Sequence, residues 1–263
     1  MTSPTLIDFT TVRRMVQPRE WNIALIGCGG TGSWLAPHIA RLVKIAQEKQ
    51  GRKIETMFCD PDVVLEKNCY RQNFSYSEIG ANKAEALAFR LNAAWGLEIK
   101  TFSGPVSNLG YNYQILVGCV DNAAARRQIA FKADRSWWLD CGNSRDYGQV
   151  LLGRGRIDAH EKPFGLEGLC TWLPSPVKQH PELLEDQPPQ VEENEVGLSC
   201  ADLALQGLQS LSINARVAAE AADFLFRFLL TGDLRRYAAY ISLEGGSSSS
   251  KYITDDNIRP YLT

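Results

Sequence analysis

The 263-residue sequence has no C-x-x-C pair, only three histidines, no surplus charge, and no apolar run near the roughly 20 residues that span a bilayer. Each lack narrows the possibilities. Without paired cysteines there is no zinc ribbon, so no zinc is expected. The seven cysteines (Cys28, Cys59, Cys69, Cys119, Cys141, Cys170 and Cys200) are odd in number and suit free thiols better than a disulfide framework. Lys and Arg total 28 against 30 Asp and Glu, a net charge of -2, which gives no general electrostatic case for nucleic acid or a membrane surface. The opening stretch MTSPTLIDFTTVRR lacks the basic-then-apolar layout of a secretory signal, so the expected location is cytoplasmic. No internal repeat is present. What remains is a chain with 44% hydrophobic residues, enough to bury a sizeable core in one large domain or a domain with an appended lobe.

The stretch Trp21 to Trp34, WNIALIGCGGTGSW, stands out. An apolar strand at Ile23 to Ile26 runs into Gly27, Gly29, Gly30 and Gly32 before a helix predicted over Ser33 to Gln50, the layout of a phosphate-binding turn. A short strand over Ile54 to Cys59 completes a βαβ unit. Further helices are predicted at Ala81 to Trp95 and Asn122 to Ala133, with strands at Leu97 to Phe102, Gln114 to Val120, Trp137 to Cys141 and Gln149 to Leu152. This alternation predicts an α/β, Rossmann-like, doubly wound and mainly parallel sheet. From about Arg154 to Leu198 the chain is rich in Pro, Gly and acidic residues and carries little periodicity, so a long loop is expected. A helix over Ala201 to Leu230 and a β-hairpin (Tyr237 to Leu243, then Lys251 to Thr254 across GGSSSS) close the chain. Residues 1–153 thus read as a nucleotide-binding core, 154–200 as the loop, and 201–263 as a helix and hairpin completing the same domain.

The glycine loop alone does not separate NAD from ATP. Asp60, at the end of the second strand, can accept ribose hydroxyls or simply cap a turn, with Asp62 as a neighbour competing for the role. Downstream come Asn68, Arg71 and Gln72, then Gly80 and Lys83, then Asp121, Asn122 and Arg126. Arg71 and Lys83 can hold phosphate oxygens, and Asp121 can ligate Mg²⁺ at the carboxyl end of a strand. Taken singly, Lys83 reads equally as a solvated helix face, Arg71 as half of a surface ion pair, and Asp121 with Asn122 as a helix cap. Their joint order suits a triphosphate losing pyrophosphate.

These motifs, GCGGTG at Gly27 to Gly32, DPDVVLEKNCYRQNF at Asp60 to Phe74, IGANKAEA at Ile79 to Ala86 and VDNAAAR at Val120 to Arg126, resemble those of the ThiF/MoeB adenylyltransferases, which share their fold with ubiquitin-activating enzymes. The resemblance covers about Trp21 to Gly153. The later portion, with DCGNSRDYGQV and LSCADLALQ, looks like the short ThiF-type proteins of PRTRC systems. What the resemblance implies is a ThiF/MoeB-like fold and ATP- and Mg²⁺-dependent adenylation of the C-terminal glycine of a small ubiquitin-like or sulfur-carrier protein. It implies Asp60 on the ribose, Arg71 and Gln72 on the triphosphate, Lys83 near the α-phosphate, Asp121 on magnesium, and Asn68, Asn122 and Arg126 in support. A homodimer is implied too, with Arg13 or Arg14 as the residue reaching the partner's ATP site, and a conjugating enzyme is a further candidate partner.

Cys200, at the expected start of the Ala201 helix, is the candidate nucleophile for a thioester, because a helix N-terminus favours thiolate. Cys170 is the alternative; Cys28, Cys59, Cys119 and Cys141 read as core. The acidic loop from Gly155 to Leu198 would lie over a partner's narrow tail or be a disordered insertion. Two other readings stay open: an NAD-dependent Rossmann oxidoreductase, which leaves Arg71, Lys83 and Asp121 unexplained, and a non-catalytic ATP-binding scaffold of the same fold. ATP-dependent activation of a small-molecule or RNA carboxylate differs only in the acyl partner.

Overall fold

The computed structural model describes residues 7–19, 21–110, 112–156, 162–186 and 212–262. In chain order the elements begin with β1 (Arg14–Met15), β2 (Ile23–Ile26), α1 (Gly30–Gln50), β3 (Thr56–Cys59), α2 (Lys83–Trp95), β4 (Lys100–Phe102), β5 (Ile115–Gly118) and α3 (Ala123–Lys132). They continue with β6 (Trp137–Asn143), β7 (Tyr147–Arg154), β8 (Leu169–Cys170), α4 (Pro176–Gln179), α5 (Ile213–Phe226), β9 (Arg236–Ser242), β10 (Ser247–Tyr252) and α6 (Asp255–Ile258).

Eight of the strands form one sheet in the order β10-β9-β7-β6-β5-β2-β3-β4. From β6 to β4 it is parallel; β7, β9 and β10 extend it antiparallel. Strand β2 is wholly apolar because both of its faces are covered. Ile23 and Leu25 point to the larger core with Leu35, Ile39 and Phe224, whereas Ala24 and Ile26 point the other way to Leu116, Ile129 and Trp138. Helices α1, α2 and α5 cover the first face and α3 and α4 the second. The chain leaves β2 towards β3 and returns through β5 on its other side, so the sheet reverses direction of growth at β2. In open α/β sheets a ligand crevice lies at such a point, outside the carboxyl ends of the strands.

Helix starts follow side-chain chemistry. Asn82 caps α2 by accepting from the Glu85 N–H, and Asn122 caps α3 by accepting from Ala125 N–H. Each occurs where a strand-end loop must turn into a helix beside the crevice.

Three sequence expectations change. The segment 162–186 is no loose loop: β8 pairs with β1 in a second, two-stranded sheet, and Cys170, Trp172 and Leu173 are fully buried. Gln179 donates to the carbonyls of Leu152 and Pro174, and His180 Nε2 lies 2.7 Å from the Tyr240 hydroxyl, fastening this strap across β7 and β9. Its apolar stretch is too short for periodicity to register. Second, the serines of the hairpin belong to strand β10 and the turn falls at Leu243 to Gly246; on a sheet edge, polar side chains meet solvent without cost. Third, α5 spans Ile213–Phe226 and runs into a wider π turn at Arg227–Thr231, while residues 201–211 of the expected helix lie outside the described residues.

The N-terminal segment is stapled to the C-terminal one. Arg13 pairs with Asp255, its guanidinium lies 4.9 Å from the Phe164 ring centroid, and its N–H donates to Ile253. Arg13 is therefore engaged within its own chain, while Arg14 is exposed.

Truncating Trp172 tests whether the strap belongs to the core. Trp172→Ala should cost about 3–5 kcal/mol in urea unfolding, and a loss below about 1 kcal/mol would contradict the packing described.

Candidate functional site

The crevice at the carboxyl edge is built on the glycine loop. Gly27 has φ +88, and its Cα faces the Cys119 carbonyl so closely that a Cβ would sit 2.5 Å from that oxygen. At Gly32 a Cβ would come within 1.9 Å of the Gly27 carbonyl oxygen. Both positions therefore need glycine, the first for its backbone angle and the second for closeness. Helix α1 opens directly behind, and no side chain caps it at Gly29, so its first N–H groups point into the crevice unused by a side chain.

Asp60, at the end of β3, is 5% exposed and accepts from the Cys28 N–H at 2.6 Å and the Asp62 N–H at 2.9 Å. Burial pushes its carboxyl up from the ordinary value; these two hydrogen bonds and Lys83 pull the other way. A carboxylate has lone pairs for about four bonds, so hydroxyl donors can still be accommodated. Lys83, the first residue of α2, is nearly buried and its Nζ sits 2.9 Å from the Asp62 carboxylate. Asn82 holds this corner together by donating to the carbonyls of Asp60 and Asp62.

The segment carrying Asn68, Arg71 and Gln72 is tied to the first turn of α1. Asn73 donates its backbone N–H to Ser33 Oγ and its side-chain amide to the Ser33 carbonyl, and Trp34 Nε1 donates to the Arg71 carbonyl. Gln72 is thereby brought against the loop, its amide 3.9 Å from where a Cβ on Gly29 would lie, and its buried Oε1 has no partner among the described residues. The Arg71 guanidinium forms no hydrogen bond or ion pair among them either. Asn68 is spent locally, its Oδ1 accepting from the Leu65 N–H.

On the other side of the crevice Asp121 is exposed, and Asn122 Nδ2 donates to it at 3.2 Å. Arg126 does not face the crevice. It donates to the Val120 carbonyl at 2.9 Å and to Asp140 at 3.4 Å beneath the loop. Asp140 opens the stretch DCGNSRDYGQV, yet the sequence assigned it no role, because a lone acidic residue inside an apolar strand shows its meaning only through its partners. It is completely buried, and burial, only partly offset by Arg126 and more distantly by His180, raises its pKa to about 6.

Sequence reasoning also missed a polar lock under the loop: Asn214 of α5 accepts from Asn143 Nδ2 at 2.9 Å and Thr31 Oγ1 at 3.2 Å. A Cβ on Gly30 would lie 2.6 Å from the same Asn214 oxygen.

No two of the six described cysteines are joined in a disulfide. Cys200 lies outside the described residues. Cys170 is not available as a nucleophile: its thiol is fully buried and donates to the Trp172 carbonyl. Burial likewise pushes the Cys28 thiol far up and that of Cys59 to about 12, which fits packing rather than chemistry. Among the described residues no three His, Cys, Asp or Glu side chains gather into a metal cage. Asp121 alone nevertheless suits Mg²⁺, which commonly takes one or two carboxylates and completes its shell with phosphate oxygens and water.

Comparison with known proteins places this geometry. The profile of the ThiF family matches residues 5–152. Among solved structures, PaaA is similar at 17% identity and a TM-score of 0.59 over 89% of this chain and 64% of its own. E. coli MccB is similar at 14% identity and a TM-score of 0.57 over 90% and 63%, and its ATP-bound form at 14% and 0.55 over 89% and 64%. The chain thus spans just under two thirds of the length of these neighbours, and at such identities the likeness speaks for the fold alone. No curated protein sequence matches.

The Asp140 carboxyl has a stability signature. Its folded pKa of about 6 exceeds the ordinary 3.8, so the folded state holds the proton more tightly. That contribution is full below about pH 4 and is lost as pH rises through 6. At ~1.4 kcal/mol per unit, wild-type stability relative to Asp140→Asn should fall by about 2 kcal/mol between pH 4 and 7. Urea unfolding of both proteins across that range measures it; a pH-independent difference would refute the raised pKa.

Proposed function

The chain belongs to the ThiF family, and from that premise we propose that it is an ATP- and magnesium-dependent adenylyltransferase acting on the C-terminal carboxylate of a small protein. The observation that carries this reading is the pairing of the glycine loop with Arg71 and Gln72, whose side chains have no protein partners among the described residues and are fastened beside an uncapped helix start. An NAD-dependent reading leaves the set of Arg71, Lys83 and Asp121 unexplained.

A carboxylate oxygen of the partner attacks the α-phosphorus of ATP, the bond to the β-phosphate breaks, and pyrophosphate leaves an acyl adenylate. The carboxylate is itself the nucleophile, so no protein base is needed. The loop N–H groups and Gln72 bind phosphate oxygens, Arg71 follows the charge onto the departing pyrophosphate, and Asp60 orients the ribose. Lys83 turns from Asp62 to the α-phosphate, exchanging one anion for another. Asp121 would hold magnesium, which when bound neutralises charge on the phosphates.

The partner class follows from two lines. The family resemblance implies a ubiquitin-like or sulfur-carrier protein ending in glycine, and E. coli MccB has been crystallised with AMPCPP and MccA together. In the finer reading the chain stands with the PRTRC-system members, works as a homodimer, and passes the acyl group to Cys200, whose sulfur attacks the adenylate carbonyl and expels AMP.

The test is ATP–pyrophosphate exchange stimulated by small proteins ending in glycine. Exchange should appear in wild type and fall by roughly 10²-fold or more in Asp121→Ala at unchanged melting temperature. ATP binding without exchange for any such partner would overturn the activity, and undiminished exchange in the variant would remove the role of Asp121. Cys200→Ala should keep exchange and lose a reductant-sensitive adduct in the intact mass; persistence of that adduct moves the thioester elsewhere.

A further inference from the structure

Asp140 is costly where it stands. It occupies the middle of β6, paired in register with Gly118 and Leu151, and it is fully buried. One carboxylate oxygen meets Arg126 and the other has no partner among the described residues. Taking such a charge out of water costs several kcal/mol, and one 3.4 Å contact returns only part of it. For stability alone, an apolar side chain would serve better.

Among the described residues the Asp140 side chain holds only the Arg126 guanidinium, and Arg126 in turn holds the carbonyl of Val120. That carbonyl belongs to the peptide plane leading into Asp121, so its hydrogen bond fixes how Asp121 leaves the strand. The guanidinium has little freedom, because Gly142 of β6 passes beneath it, with a Cβ there lying 3.3 Å from its terminal nitrogen. Asn122 holds the Asp121 carboxylate from the other side while capping α3.

We propose that Asp140 is a positioning residue which, through Arg126 and the Val120 carbonyl, aims the Asp121 carboxylate at a nucleotide-bound divalent cation. The inference rests on the adenylation reading. A ligand carboxylate displaced by about 1 Å loses much of its worth to a metal held in octahedral geometry, so an anchor two contacts away controls cation use while touching neither nucleotide nor metal. The role differs from a structural ion pair in one respect: it acts on the magnesium-dependent part of nucleotide binding and spares the rest.

Calorimetric titration of ATP into the full-length protein, with and without Mg²⁺, tests this. Asp140→Asn keeps the shape and removes the charge; it should bind Mg²⁺-free ATP within about twofold of wild type and lose about tenfold or more of the affinity that Mg²⁺ adds. Arg126→Lys, which keeps the positive charge but cannot bridge both acceptors, should do the same. In an Asp121→Ala background Asp140→Asn should add nothing further, as expected for residues acting through one group. If either folded single variant keeps the full wild-type gain from Mg²⁺, the proposal is overturned while the adenylation reading stands; wild type that binds no ATP takes both down.

Discussion

The molecule is organised around one close approach, the backbone of Gly27 lying against the carbonyl of Cys119. These two residues end neighbouring parallel strands, β2 and β5, whose connections leave on opposite sides. Because Gly27 offers no side chain, the two strand ends stay in register to their last residues, the Cys119 N–H reaching the Ile26 carbonyl at 2.7 Å, while on the other side of β2 the Gly27 N–H reaches the Cys59 carbonyl of β3 at 2.9 Å. That contact places the start of α1, the Asp60 corner and the Asp121 loop around one crevice. A bulkier contact would separate the glycine-loop side of the crevice from the Asp121 side.

Much of this was legible beforehand, and the reason is local chemistry. Tight turns demand glycine, buried parallel strands demand unbroken apolar runs, and strand-to-helix corners demand Asn or Asp, so β2, the loop, Asp60 and Asn122 each leave a mark in a few consecutive residues. The strap from 162 to 186 leaves none, since its order depends on β1 and on β7 and β9, residues far away in sequence. The same holds for Asp140, Asn143 and Asn214: each is an isolated polar residue whose meaning comes only from partners on other elements. Serines in β10 misled for the opposite reason. Their composition resembles a turn, but an edge strand takes its hydrogen bonds from the neighbouring backbone and asks little of its side chains.

A motif is not a list of ligand contacts. Asn68, Asn122 and Arg126 occur in the same short patterns as Arg71, Gln72 and Asp121, yet the structure divides them. The first three engage groups of the protein, Asn68 the Leu65 N–H, Asn122 the Ala125 N–H and the Asp121 carboxylate, and Arg126 the Val120 carbonyl and Asp140, while the side chains of Arg71 and Gln72 have no protein partners among the described residues and Asp121 stays exposed. That division has a physical basis. A loop that must present a charge in a fixed direction cannot rely on regular secondary structure for rigidity, so side chains from the loop itself replace the missing ladder. Positioning residues therefore travel with the residues they position, and sequence patterns record both without distinguishing them.

The lock beneath the loop extends this reasoning across the sheet. Asn214 sits at the beginning of α5, on the far side of residues 187–211 from the strap, and its oxygen meets Thr31 in the first turn of α1 and Asn143 at the end of β6. Buried amide networks of this kind hold only when every member is in place, because each lost bond leaves a desolvated polar atom. The start of α5 and the start of α1 are consequently one rigid unit, and the absence of a side chain at Gly30 is what lets them touch. The start of α5 thus lies directly behind the glycine loop, so the geometry of that loop depends on a helix encoded more than 180 residues later.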